Sequence, residues 1–139
     1  MGMYTEINLN FRFIDNLPKQ VVDCINVMIG NKEPETIEIP EHELFKTARW
    51  YFLLNSSSYY HIPFCTVQFR YDDISQSYYL TGRSDIKNYD GEIELFFDWV
   101  KPYVDSRCHE KTYIGYSIYE EDDEPTLYYK DNSSVHTNT

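Results

Sequence analysis

The fold of this chain is decided by residues 4–13, which read YTEINLNFRF. Within this stretch, polar residues alternate with an apolar set formed by Ile7, Leu9, Phe11 and Phe13. Because successive side chains of a strand point to opposite faces, this period of two predicts a strand with one buried face and one wet face.

Two helices are predicted further along the chain. Pro18 stands where a first helical turn accepts a proline, apolar residues then recur at helical spacing, and Gly30 supplies a stop. A second helix is predicted over residues 88–104, where Asn88 or Asp90 can cap the first turn.

Five further strands are predicted from alternation and from short apolar runs. They cover residues 49–54, 64–71, 77–83, 112–119 and 126–130. Within residues 49–54, the run from Trp50 to Leu54 is apolar, which is typical of a central strand buried on both faces. The resulting order is β-α-β-β-β-α-β-β.

Two helices cannot cover both faces of a sheet of about six strands. The expected fold class is therefore α+β, a two-layer sandwich with a mostly antiparallel sheet and both helices on one face. Residues 1–130 are expected to form a single α+β domain, and residues 131–139 a disordered polar tail.

The chain is strongly acidic and rich in tyrosine. It holds 23 Asp and Glu against 12 Lys and Arg, a formal net charge of −11, with 14 tyrosines among 139 residues. This charge disfavours direct binding to nucleic acid, which needs clustered cations, and to anionic membranes. It favours a basic protein surface as the partner.

Cysteine usage and hydropathy indicate a soluble intracellular protein. Cys24, Cys65 and Cys108 are an odd number at long spacings, without a disulfide framework or a zinc motif. No stretch approaches the roughly 18 apolar residues that would span a bilayer. The sequence leaves the oligomeric state open.

The acidic residues concentrate in the second part of the chain. Residues 84–139 hold 13 acids and 5 bases, whereas residues 1–83 hold 10 and 7. The predicted partner-binding residues lie on the second helix and in one acidic run: Asp90, Glu94, Asp98, Glu120, Glu121, Asp122, Asp123 and Glu124. Helix acids four apart share a face and repel one another, so folding gains nothing from them. The alternative interpretation is a solvated hairpin tip that protects a sheet edge from aggregation.

A second hypothesis is a stacking pocket for a nucleotide. Tyrosines and arginines fall in or next to one predicted hairpin: Tyr59, Tyr60, Arg70, Tyr78, Tyr79 and Arg83. Such a set can stack on a base and contact an anion. The alternative is that these tyrosines only fill a pleated, half-buried surface.

Catalytic chemistry finds little support in the sequence. Asp72, Asp73 and Asp85 lie near the ends of one hairpin and could converge on a metal ion, which makes a metal-dependent hydrolase the third and weakest hypothesis. Cys24 and Cys65 lie at apolar positions, and no glycine-rich phosphate loop is present. We therefore expect a protein that is not an enzyme and carries no metal or cofactor.

Three segments resemble small proteins of phages and mobile elements of bacteria. These segments are residues 72–80 (DDISQSYYL), 88–99 (NYDGEIELFFDW) and 119–127 (YEEDDEPTL). That group has no assigned activity, so the resemblance supplies no functional residues.

The resemblance implies a setting, because small acidic accessory proteins of phages are often inhibitors of host defence systems. We therefore expect a non-catalytic acidic binding protein, phage-encoded and acting in the cytoplasm of a bacterial host. Its expected target is a basic, nucleic-acid-binding surface of a host protein. The alternative function is a nucleotide-binding protein that sequesters a signal.

Overall fold

The computed structural model describes residues 3–58, 63–106 and 110–131. Over these ranges the fold is α+β, with one five-stranded antiparallel sheet and two α-helices. The elements are β1 (Thr5–Arg12), α1 (Lys19–Met28), β2 (Gln68–Asp72), β3 (Ser77–Ile86), α2 (Glu92–Val100), β4 (Lys111–Tyr119) and β5 (Thr126–Asp131).

The alternating strand that opens the chain lies at the centre of the sheet. The strand order is β2-β3-β1-β4-β5, and every neighbouring pair is antiparallel. Ile7 lies opposite Ser84 on one side and Ser117 on the other, and Leu9 lies between Gly82 and Gly115. At Gly115 a Cβ would collide with the Asn8 backbone and lie 3.2 Å from the ring of Phe97 in α2, so glycine allows the helix to pack closely there.

One core joins the buried face of the sheet to both helices. Ile7, Leu9 and Phe11 are at most 6% exposed, and they belong to the same apolar cluster as Ile25 of α1 and Phe97 of α2. Phe97 also stacks on Tyr128 of β5, with ring centroids 3.9 Å apart. Burial of these large side chains is the main source of stability.

The strand predicted over residues 49–54 is wrong, and its loss reduces the sheet from about six strands to five. Residues Trp50–Phe52 form a 3₁₀ helix. Trp50, Leu53 and Leu54 are buried whereas Tyr51 is 45% exposed, so burial follows a helical spacing. The Leu54 amide donates to the Met28 carbonyl at the end of α1, which docks this segment on a helix.

The strand predicted over residues 64–71 begins later, at Gln68. Gly82 explains the delay, since it has a φ of 121° and the Thr66 backbone lies against it where a Cβ would collide. The Thr66 amide donates to the Arg83 carbonyl, but the Arg83 amide donates to the Thr66 hydroxyl. A side chain therefore replaces the backbone ladder at this crossing.

The remaining boundaries shift by smaller amounts. The helix predicted over 88–104 is regular only from Glu92 to Val100, and a 3₁₀ turn that contains Pro102 continues it. Asp131, expected in the tail, closes β5, while residues 132–139 lie outside the described part. Within the described ranges, no helix is long and apolar enough to cross a membrane.

Candidate functional site

An open cleft lies between the first turn of α2 and the tip of the β4–β5 hairpin. Its volume is about 340 Å³. The lining combines carboxylates, tyrosine rings and small polar groups: Met3, Thr5, Asn88, Tyr89, Glu94, Ser117, Tyr119, Asp122 and Thr126. The cleft thus joins one predicted acid of the helix, Glu94, to one predicted acid of the hairpin, Asp122.

Asn88 positions the carboxylate on the helix side of the cleft. Its side-chain oxygen accepts a hydrogen bond from the Ile93 amide at 2.8 Å, which satisfies an orphan donor of the first turn. Its side-chain nitrogen donates to Oε1 of Glu94, also at 2.8 Å. The Asn88 side chain therefore satisfies a donor of the first helical turn and also holds the Glu94 carboxylate in place.

The hairpin tip positions the opposing carboxylate. The Asp122 amide donates to the Tyr119 carbonyl at 2.9 Å, and the Tyr119 amide donates to Oδ2 of Asp122 at 3.3 Å. Oε1 of Glu120 accepts from the Tyr4 amide at 3.1 Å, which ties the tip to the first strand. These hydrogen bonds hold the acidic run in a defined turn conformation.

The three other acids of the run contribute charge, but the described structure shows no side-chain interaction by which they would stabilise the fold. Glu121, Asp123 and Glu124 are exposed on the hairpin tip, and within the described ranges they form no side-chain hydrogen bond or ion pair. They extend the negative surface outward from the cleft.

Two tyrosines of this region have a raised pKa, for which desolvation is the main cause and nearby carboxylates a smaller one. Desolvation, followed by the carboxylates of Glu121 and Glu120, raises the pKa of Tyr119 above its ordinary value. Burial, followed by the Glu94 carboxylate, raises the pKa of Tyr128 against the opposing effect of the Ser117 hydrogen bond. A negative potential disfavours the tyrosinate and favours a bound cation.

Tyr89 and Tyr119 were not predicted as site residues. Tyr89 is 56% exposed, and its hydroxyl accepts a hydrogen bond from the Met3 amide at 3.1 Å. The sequence offered one signal for each ring, since Tyr89 precedes Asp90 and Tyr119 precedes Glu120. Exposed aromatic rings beside carboxylates are suited to cationic side chains.

The structure does not bring Asp90 and Asp98 to the cleft. Oδ2 of Asp90 accepts from the Ala48 amide at 3.1 Å. Oδ2 of Asp98 lies 3.0 Å from Nε2 of His42, the residue that caps the short 3₁₀ helix Glu43–Lys46. Both acids hold the connector between α1 and β2 against α2.

The tyrosines and arginines proposed for a nucleotide pocket do not share one face. Tyr78 faces the core, where it stacks on Phe69 at 4.7 Å, whereas Tyr79 lies one position along β3 and so points to the opposite face. Arg70 is exposed on β2. Tyr59 and Tyr60 lie outside the described residues.

Arg83, the central residue of that hypothesis, is engaged inside the protein. Its Nη2 donates to Oδ2 of Asp85 at 2.7 Å and to Oε1 of Glu6 at 3.2 Å. Its Nη1 donates to the Phe64 carbonyl, and the Tyr116 hydroxyl donates to Oε2 of Glu6. A guanidinium that two carboxylates already hold is poorly placed to recruit a phosphate.

The carboxylates of the hydrolase hypothesis do not converge. Asp72 pairs with Ser77 at one end of β3, and Asp85 lies near the other end, about 26 Å away along an extended strand. Asp72 instead accepts the Ser75 amide within the turn. In the part of the chain that the structure describes, no three His, Cys, Asp or Glu groups could together hold a metal ion.

The described cysteines are not placed for catalysis. Burial raises the pKa of the Cys24 thiol to about 12, which keeps it protonated. The Cys65 thiol donates to the Leu54 carbonyl. Cys108 falls outside the described residues.

Comparison of the chain with protein-family models, with curated proteins and with solved structures gives no match. The functional conclusion therefore rests on the geometry of the site.

Proposed function

We propose that this protein is a non-catalytic binding protein that presents an acidic cleft to a basic surface of a partner protein. The observation that carries the proposal is that Glu94 of α2 and Asp122 of the hairpin line one cleft together with Tyr89 and Tyr119. Both carboxylates are fixed by hydrogen bonds before any partner arrives. Preorganisation of this kind lowers the cost of binding.

The chemistry of the cleft suits a Lys or Arg side chain. The carboxylates offer acceptors for charge-assisted hydrogen bonds, and Tyr89 and Tyr119 line the same cleft, where aromatic rings can contact the cation and its apolar stem. The exposed acids Glu121, Asp123 and Glu124 add long-range attraction, which accelerates association with a basic surface.

Within this class, we favour an inhibitor that occupies the nucleic-acid-binding groove of a host protein. Such a groove carries clustered cations, and a surface of fixed carboxylates competes for them with phosphates. The resemblance to phage proteins supports a role against a bacterial defence system.

The contribution of the hairpin can be measured by charge reversal. A variant with Glu121, Asp123 and Glu124 each changed to Lys should weaken binding of a fluorescent Arg-rich peptide at least tenfold at low salt. The three side chains are exposed, so the fold should persist, which circular dichroism would verify. Fluorescence anisotropy at rising salt should show the wild-type affinity falling as the charges are screened.

A matched variant separates location from net charge. Glu33, Glu35 and Glu38 are exposed acids of the connector after α1, and changing them to Lys alters the net charge by the same amount. This variant should keep most of the affinity. Equal loss in both variants would mean that the peptide senses only total charge, which would refute the proposed site.

A further inference from the structure

A second pocket, close to the cleft, gathers positive charge in this acidic protein. Its volume is about 240 Å³, and its lining is Tyr4, Arg49, Phe52, Ser56 and Lys87. Among the residues that the structure describes, no acidic side chain lines it. Acids outnumber bases by 23 to 12 in the whole chain, so two cations on one cavity stand out against their surroundings.

Arg49 is held in place while most of its donors stay unused. Its guanidinium lies over the Tyr89 ring, 5.0 Å from the centroid. Nη1 forms an ion pair with the fully buried Glu92, at 3.9 Å from its Oε2, a distance too long for a hydrogen bond. Tyr89 and Glu92 orient Arg49, and no described residue accepts a hydrogen bond from it.

Lys87 brings a second cation whose donors are also unused. Its Nζ lies over the Tyr4 ring, 5.8 Å from the centroid, and it forms no ion pair with any described carboxylate. Lys87 directly follows Ile86, the last residue of β3, which pairs with Thr5 of β1. The pairing of β3 with β1 therefore fixes the backbone position from which the Lys87 side chain extends.

From this juxtaposition we infer that the pocket binds the phosphate group of a small phosphomonoester. The ion pair with Glu92 uses one edge of the Arg49 guanidinium, whose other N–H groups offer donors to phosphate oxygens, and the Lys87 ammonium adds a compact point charge. The Ser56 hydroxyl can supply a further donor, since the described hydrogen bonds of Ser56 use its backbone.

Two aromatic side chains of the pocket can contact the organic part of the ligand. Tyr4 and Phe52 are half-buried and line the cavity beside the cations. Their rings can contact a sugar or a base while the phosphate lies on Arg49 and Lys87. A nucleoside monophosphate has this combination of groups, so AMP is a suitable probe.

This inference is independent of the acidic cleft. The cleft is proposed to take a cation between Glu94 and Asp122, whereas the pocket takes an anion between Arg49 and Lys87. Among the described residues the two linings have none in common, although the Tyr89 ring of the cleft lies under Arg49, so variants at Lys87 and at Asp122 test the two sites separately.

Isothermal titration calorimetry with AMP, inorganic phosphate and adenosine tests the site. AMP should bind saturably, inorganic phosphate should bind more weakly, and adenosine should give no binding. Lys87→Gln should weaken AMP binding about tenfold or more, because a charge-assisted hydrogen bond is lost. Arg49→Lys keeps the charge and should weaken AMP binding through loss of the paired donors.

Lys111→Gln is the matched control. Nζ of Lys111 also lies over a tyrosine ring, 5.3 Å from the centroid of Tyr129. Lys111 begins β4, whereas Thr5, next to Tyr4 of the pocket, pairs with Tyr119 at the other end of that strand. It should leave AMP affinity unchanged. Absence of saturable AMP binding, or equal losses in Lys87→Gln and Lys111→Gln, would overturn the inference. Equal affinities for AMP and inorganic phosphate would contradict the role given to Tyr4 and Phe52.

Discussion

Glu6 is buried, although the alternation of residues in β1 predicts that its side chain is exposed. The alternation of β1 places Glu6 on the wet face, yet it is only 8% exposed, because Arg83 and Tyr116 both donate to its carboxylate. Asp85 is fully buried against the same guanidinium. A buried ion cluster of this kind is strongly destabilised when one partner is removed.

Tyr116 provides a pH test of this cluster. Burial, followed by the hydrogen bond to Glu6, raises the pKa of Tyr116 from 10.0 to about 12. The folded state holds this proton more tightly than the unfolded state. The stability it contributes is therefore complete below pH 10 and is lost between pH 10 and pH 12.

Urea unfolding of wild type and Tyr116→Phe across that interval measures the effect. The variant should lose less stability between pH 10 and pH 12 than the wild type, although it is less stable at neutral pH. Equal losses would show that Tyr116 does not titrate differently in the folded state.

Residue identity predicted the two acids of the cleft, but neither its tyrosines nor the cations of the second pocket. Glu94 and Asp122 were expected from charge, since Asp and Glu on a helix and in a turn are exposed unless something holds them. Arg49 and Lys87 were not expected, because they converge only through the docking of the 3₁₀ segment Trp50–Phe52 near the end of β3. Tertiary contacts of this kind have no local signal.

At the scale of elements, α2 connects the core to the cleft. Ile93, Phe96, Phe97 and Val100 are at most 1% exposed, whereas Glu94 and Asp98 on the other side of the helix are exposed. The apolar stripe therefore fixes the direction in which Glu94 points. The ring stack between Phe97 and Tyr128 then sets the separation of helix and hairpin.

Truncation of that stack should be costly. Phe97→Ala should lower the free energy of unfolding by about 3–5 kcal/mol, because it deletes a buried ring and leaves a cavity. Ile74→Ala is the control, since Ile74 is 95% exposed, and it should change the stability by less than about 0.5 kcal/mol. Denaturant titration measures both, and similar values for the two variants would contradict the assigned core.

Elements with a clear period were predicted well, and elements without one were not. The alternation of β1 and the apolar stripe of α2 both correspond to observed elements. Residues 49–54 are nearly all apolar and so carry no period, and length alone suggested a strand. Their docking on the end of α1 decided the outcome in favour of a 3₁₀ helix.

At the scale of the whole molecule, charge is sorted into neighbouring sites of opposite sign. The acidic cleft and the cationic pocket meet at Tyr89, which lines the cleft while its ring supports Arg49 of the pocket. Net charge alone could not predict this division, because a total of −11 says nothing about where the cations gather. We propose that the cleft, and not the total charge, recognises a basic partner.

Amide chemical-shift mapping tests that claim most directly. On titration with an unlabelled Arg-rich peptide, the largest shifts should fall on the cleft, at Asn88, Tyr89, Glu94, Tyr119 and Asp122. Glu94→Gln should reduce these shifts at a given peptide concentration, because one of the two facing carboxylates is neutralised. Shifts centred on residues 33–38, or spread evenly over all exposed acids, would contradict the account.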